Sequence, residues 1–146
     1  MTHRLALDHI TVVDADPLDL VDAAQAAGCE GLCLFMEPMA VLPDMPHFDL
    51  SGSAPARAAF KARMADAGVS LDLAYPFTLT GRSIIAAFRP ALDLAADLGA
   101  PLVNLLIYDR DEARRTDNFA AFCDLADAAG LGVALEFYPV SQIKSL

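Results

Sequence analysis

The stretch Leu131-Gly-Val-Ala-Leu-Glu-Phe-Tyr-Pro139 decides how this chain is read. Its apolar run has strand length and no alternation of polar and apolar positions, the pattern of a parallel strand covered on both faces. A charge has no inexpensive place in such a strand. Glu136 therefore either lies just past the buried part or has a partner such as a metal ion.

Working backwards, the same run recurs with amphipathic stretches between its copies, most of which close on a small residue and a glycine. The endings are Ala26-Ala27-Gly28, Asp66-Ala67-Gly68, Asp97-Leu98-Gly99 and Ala128-Ala129-Gly130, at spacings of 40, 31 and 31 residues. Glycine just past the last helical turn closes a helix in the left-handed conformation. A period of about 30 residues is that of a strand, a crossover helix and two loops, so the chain reads as consecutive βα units.

The expected strands are 5–13, 31–36, 69–75, 101–108 and 132–138. The expected helices are 17–27, capped by Asp16 with Pro17 in its first turn; 54–67; 84–98, where Pro90 marks the true start or a kink; and 117–129, capped by Thr116 or Asp117. A long proline-containing connection, residues 37–53, follows strand two; connections of that length are functional lids or mobile segments. After strand five Ser141 is placed to cap a further helix.

Strands joined by right-handed helical crossovers are parallel. Two architectures remain, the first half of a (β/α) TIM-type barrel and an open doubly wound sheet. The first turn, Val12-Val-Asp-Ala-Asp-Pro17, is no glycine-rich phosphate loop, and no helix covers strand five. The partial barrel leads. Because its edges and interior are unpaired, it is expected to be a single (β/α) domain belonging to a longer barrel, or to pair with a second copy.

Composition narrows the partners. The 146 residues are 55% hydrophobic, enough for a core, and carry a formal charge of -10. That charge argues against a nucleic acid or an anionic membrane surface and leaves a small-molecule substrate or another protein. No apolar stretch reaches the roughly 18 residues of a membrane span, and Met1-Thr-His-Arg-Leu5 lacks a signal-peptide pattern, so a cytoplasmic location is expected. Cys29, Cys33 and Cys123 fit neither a disulfide framework nor a zinc knuckle and read as reduced core thiols.

In a parallel barrel or sheet the ligand site lies at the carboxyl ends of the strands. All three tyrosines, Tyr75, Tyr108 and Tyr138, fall there, each offering an apolar body and a hydroxyl suited to a polyol. His9 is either a general acid/base or a hydrogen-bonded interior histidine. Arg82, in Thr78-Leu-Thr-Gly-Arg82, is able to clamp a carboxylate or phosphate or is an exposed loop charge. Glu37 and His47 read as solvated, and Asp109-Arg-Asp-Glu-Ala-Arg-Arg115 as a solvated loop of mixed charge.

The segment Val133-Ala-Leu-Glu136-Phe-Tyr-Pro139-Val-Ser141 resembles the fifth strand of the xylose-isomerase-like barrel superfamily of sugar-phosphate isomerases, epimerases and dehydratases. Leu5-Ala-Leu-Asp-His9-Ile-Thr-Val, the Ala-Ala-Gly28 helix end and Leu98-Gly-Ala-Pro-Leu-Val-Asn104 are similar to its amino-terminal half. The resemblance implies a metal-dependent isomerase, epimerase or dehydratase acting on a small polyhydroxy or keto substrate. It also implies a divalent ion (Mg, Mn or Zn) held by Glu136 and by Asp, His and Glu residues of later strands. The endonucleases of the superfamily carry metal-binding histidines at the ends of strands three and four, where this chain has Tyr75 and Tyr108. Two further readings stay open: a non-catalytic fragment that self-associates as a dimer, and a small-molecule-binding open-sheet module.

Overall fold

The computed structural model describes residues 3–145. Met1 and Thr2, part of the segment read for a leader, lie outside the described residues, as does Leu146. Five parallel strands form one sheet in the order β1 (Ala6–Asp8), β2 (Gly31–Phe35), β3 (Ser70–Leu79), β4 (Leu102–Ile107) and β5 (Gly132–Leu135). Between them run α1 (Pro17–Ala26), α2 (Ala54–Ala67), α3 (Arg89–Asp97) and α4 (Glu112–Asp127). Each strand is followed in space by the next in sequence. This order is that of a barrel wall, because a doubly wound sheet reverses direction at a switch point. The open-sheet alternative is thereby excluded.

The glycine periodicity has the cause expected for it. Gly28, Gly68, Gly99 and Gly130 take φ of 73°, 67°, 88° and 77°, and no non-glycine residue among those described has positive φ. At Gly68 the backbone N–H closes α2 on Ala65 O at 3.3 Å. Asp16 caps α1 by accepting from Leu18 N at 2.7 Å and Asp19 N at 2.9 Å, with Pro17 in the first turn. Pro90 marks the start of α3, preceded by a 3-10 turn at Ile85–Phe88.

Four expected boundaries move, those of β1 and α4 for a local reason and those of β3 and β5 through their pairing with β4. β1 ends at Asp8 and not at Val13, since the Asp8 carboxylate takes Ile10 N–H at 3.2 Å and turns His9–Val12 into a 3-10 helix. β3 runs four residues beyond Tyr75, to Leu79; Pro76 is tolerated because it falls in the register shift between Ala74 and Phe77, where the ladder asks nothing of it. α4 begins at Glu112 and not at Asp117: Asp111 is the cap, accepting from Arg114 N at 2.9 Å. Residues 112–115 of the charged run read as a loop are therefore the first turn of a helix, where Glu112 also suits the helix dipole. β5 ends at Leu135, although Glu136 N still donates to Leu105 O at 3.0 Å and prolongs the pairing by one residue.

The core lies between the helices and one face of the sheet. Leu32, Leu34, Leu71, Ala74, Phe77, Leu79, Val103, Leu105 and Ile107 point to the helices and are almost fully buried. Against them pack Leu20 and Val21 of α1, Phe60 of α2, Leu92 of α3 and Phe122 of α4. The alternate positions face the other way, onto the concave side. There the paired registers Asp8↔Cys33, Phe35↔Tyr75, Thr78↔Leu106 and Asn104↔Ala134 line what is the interior of a barrel. The 37–53 connection is anchored at its far end: Leu50 is buried, and Arg57 Nη1 donates to Leu50 O and Ser51 O at 2.8 and 2.9 Å. No helix among the described residues is long and apolar enough to cross a membrane.

Candidate active site

Glu136 is the first residue beyond β5, and its side chain alternates with Leu135 to the concave face. Both readings offered for it hold in part, for it lies at the strand end and it also has a partner. Asn104 of β4 donates from Nδ2 to Glu136 Oε2 at 2.7 Å. The reverse amide orientation would set two acceptors at that distance, so the hydrogen-bond network fixes the assignment. Asn104 Oδ1 then remains buried with no partner among the described residues. A buried acceptor of this kind calls for a donor supplied from outside, such as a hydroxyl.

The tyrosines divide between two groups. Tyr108, which follows β4, is half-buried and N-bonded to Leu79 O at 2.8 Å. Its phenol is pushed above the ordinary range by burial and then by the neighbouring charges of Tyr138 and Glu136. Tyr138 is 41% exposed, two residues beyond the carboxylate. These three residues and Asn104 form one group at the ends of β4 and β5.

Tyr75 belongs to a second group, at β1 and β3. Its hydroxyl donates to Asp8 Oδ1 and accepts from Ile10 N at 3.3 Å, and its ring lies 4.3 Å from that of Phe35. Burial first, and then the hydrogen bond to the Asp8 carboxylate, raise its pKa. His9 lies beneath, fully buried. Its Nδ1 accepts from Phe35 N at 3.3 Å, so Nε2 carries the proton and donates to Ala15 O at 2.9 Å. Phe48 of the long connection stacks on the ring at 6.0 Å. Burial holds the imidazole below its ordinary pKa. Of the two readings of His9, the geometry favours the interior, hydrogen-bonded one, because both ring nitrogens are spent on backbone.

Arg82 is exposed in the loop after β3, in an open cleft of about 720 Å³ that it shares with Gly81, Tyr108, Asp109, Arg110 and Arg114. Glu37 lines a separate cavity of about 400 Å³ between β3 and α3, on the helix side of the sheet and away from Glu136. His47 is exposed. Ser141 is buried and accepts from Ile143 N at 3.1 Å, making a local turn with no helix after it among the described residues. The cysteines are unpaired, and burial pushes the Cys33 thiol up to about 11.

Several site residues escaped the sequence reading. Asn104 sits in the apolar run Leu102-Val-Asn-Leu-Leu-Ile107, as anomalous there as Glu136 is in its own run, and 32 residues before it. One βα period separates the two polar interruptions, which is the signal that would have found the pair. Asp8 and Arg110 carried no such mark.

A divalent cation was tested against these side chains. Among the described residues no three His, Cys, Asp or Glu groups converge on one point. The oxygen of Glu136 that is hydrogen-bonded takes a donor N–H, not a cation. One carboxylate beside an amide and phenols does not fit a resident divalent ion without further ligands.

No protein-family model matches the chain, and no curated protein matches it. Solved structures do. A D-psicose 3-epimerase, crystallised in the presence of D-fructose, superposes with a TM-score of 0.71 at 12% identity, over 96% of this chain and 54% of that one. A xylose isomerase domain-containing protein of Salmonella typhimurium LT2 gives 0.70 at 15% identity, covering 97% and 52%. A sugar phosphate isomerase/epimerase of Parabacteroides distasonis ATCC 8503 gives 0.62 at 17% identity, covering 90% and 50%. At such identities the likeness is one of fold, and the chain spans about half the length of these structures.

Proposed function

We propose, from the premise that this chain folds as the first five βα units of a xylose-isomerase-like barrel, that it belongs to an isomerase, epimerase or dehydratase acting on a small polyhydroxylated or keto substrate. The observation that carries the reading is the Glu136–Asn104 pair at the carboxyl ends of β5 and β4. One carboxylate oxygen is held by the amide; the other has no hydrogen bond among the described residues. The unpaired Asn104 Oδ1 beside it suits a substrate hydroxyl.

The free oxygen is a general base for a proton on carbon next to a carbonyl. Removing that proton sends the C–H electron pair into the carbonyl, giving an enediolate. Return of the proton to the adjacent carbon, with the hydroxyl proton passing from one oxygen to the other, completes an isomerisation. Return to the original carbon from the opposite face, which needs a second acid, completes an epimerisation, and loss of a β-hydroxyl, protonated by an acid to leave as water, completes a dehydration. All three reactions share the first step, and Glu136 serves that step. The remaining strands of the barrel, and any cation with Glu136 among its ligands, are part of the same proposal; their residues lie outside the described chain.

The test is exchange of the substrate C–H with deuterated water, followed by proton NMR over a panel of small ketoses and keto acids, in the barrel-complete protein. Glu136→Gln is expected to slow exchange by about 10²–10⁴-fold, the range for a lost general base, with the fold unchanged by circular dichroism. Exchange at the wild-type rate in that variant sinks the assignment.

A further inference from the structure

The two groups of polar side chains on the concave face, Asp8 with Tyr75 and Asn104 with Glu136, are related by the strand register. Along the ladder Asp8 pairs with Cys33 and Cys33 with Leu73, so Tyr75 is two residues ahead of Asp8 after two strands are crossed. In the register shift that follows Ala74, Tyr75 and Pro76 together face Asn104, and Asn104 pairs with Ala134. Glu136 is again two residues ahead after two strands. An eight-stranded barrel has a shear of about eight, and this stagger of about one residue per strand brings inward side chains of alternate strands into one layer. Asp8, Tyr75 and Glu136 are thus the β1, β3 and β5 members of a single layer. The Tyr75 hydroxyl, which reaches the Asp8 carboxylate over the intervening β2, bears out the shared level directly.

In a layer drawn from alternate strands of such a barrel, β1 and β5 stand on opposite walls of the bore with β3 between them. Asp8 and Glu136 are also held in the same manner. Both are half-buried. Glu136 Oε2 takes Asn104 Nδ2 at 2.7 Å, while Asp8 Oδ1 takes the Tyr75 hydroxyl and, at 3.2 Å, Ile10 N. Each carboxylate keeps its other oxygen without a hydrogen bond among the described residues. Tyr75 donates from a ring packed 4.3 Å from that of Phe35, so the Asp8 carboxylate is set in direction before anything binds. A carboxylate fixed in this way is a strong acceptor for a hydroxyl, because the bond is charge-assisted and little side-chain freedom is left to lose.

We infer that Asp8 is a positioning residue on the wall opposite Glu136: its Oδ2 accepts a hydroxyl at the far end of the substrate and so fixes which carbon is turned toward Glu136. The inference rests on the isomerase reading for the substrate; the facing of Asp8 and Glu136 stands on the strand register and the closure of the barrel.

Calorimetric titration of the barrel-complete protein tests it, first with the ketoses of the exchange panel and then with each mono-deoxy analogue of the ketose that binds tightest. Asp8→Asn is isosteric and keeps an oxygen for the Tyr75 hydroxyl, so circular dichroism should not change. That variant is expected to weaken the parent ketose about tenfold, the factor for losing the charge from one charge-assisted bond. It should leave unchanged the affinity for a single analogue, the one lacking the hydroxyl that Asp8 takes. Asn104→Leu, on the Glu136 wall, is expected to single out a different analogue, because the two walls grip opposite ends of the molecule.

Wild-type affinity for the parent ketose in Asp8→Asn overturns the inference, as does equal weakening for every analogue, which marks a structural role. Both variants singling out the same analogue also overturns it, by placing Asp8 and Asn104 at one end of the substrate. A wild type that binds no ketose overturns it outright. The two proposals fail separately. The expected analogue pattern without any C–H exchange in the wild type removes the isomerase reading alone, and exchange in a protein whose ketose affinities ignore Asp8→Asn removes the role of Asp8 alone.

Discussion

His9 and Glu136 show how much a single side chain reveals before its surroundings are known. Both are polar residues at the edge of apolar runs, and the sequence offered each a structural and a chemical reading. For Glu136 the neighbouring strand supplies Asn104, which orients the carboxylate without neutralising it. For His9 the backbone claims both nitrogens, and the ring is sealed between Phe35 and Phe48. A pH dependence follows from that seal. Burial places the folded pKa of His9 below its unfolded value near 6.5. The folded state thus binds the proton less readily, and its stability is complete above about pH 6.5 and lost as the pH falls from there toward the folded pKa. The slope is at most about 1.4 kcal/mol per pH unit for one proton. Urea titrations between pH 7.5 and pH 5 are expected to show it (range chosen about the ordinary histidine pKa), and a His9→Gln variant to flatten it; an unchanged slope in that variant would assign the effect to other groups.

Elements were legible where backbone chemistry decides them. Glycine closures, the Asp16 cap and the Pro90 start are local and needed no tertiary knowledge. The boundaries that moved were set by cross-strand pairing, as at β3 and β5, or by a carboxylate that takes a nearby backbone N–H, as Asp8 and Asp111 do. Asp109 and Arg114, five residues apart, lock the start of α4 in a way that mixed charge conceals. Once formed, α4 is held by Phe122, whose ring meets Phe77 edge-on at 5.7 Å and Phe88 at 5.4 Å, fully buried. Truncation to Ala leaves a cavity between β3, α3 and α4 that rigid elements cannot close. Phe122→Ala should cost about 3–5 kcal/mol, a large part of the roughly 5–15 kcal/mol of a typical domain, whereas Phe122→Leu should cost much less. Chemical denaturation of the two variants checks the difference.

At the scale of the whole molecule the two faces of the sheet are unlike. The helix side carries the buried core. The concave side presents Leu102, 41% exposed, with half-buried Cys33, Leu73 and Leu106, where a complete barrel would cover them. The self-associating reading draws its support from this face. We expect the 146-residue chain, studied alone, to associate through it, since apolar surface of this extent seeks cover. Light scattering should show an oligomer that Leu106→Glu converts to monomer with its helix content intact. A wild-type monomer at all concentrations would exclude association by this route.

The sequence by itself determined the βα repeat, its parallel strands, the helix stops and the place of Glu136, because hydrophobic periodicity and glycine closure act over a few residues. Tertiary structure alone decided the rest. The strand order β1 to β5, which separates barrel wall from open sheet, exists only in the pairing of segments about 30 residues apart. The Asn104–Glu136 bond, the commitment of His9 and the gathering of Arg82 with Arg110 depend on that same pairing, since each joins side chains from different units or tells a spent polar group from a free one. A chain written in one dimension names the candidates, and only the register between strands shows which of them meet.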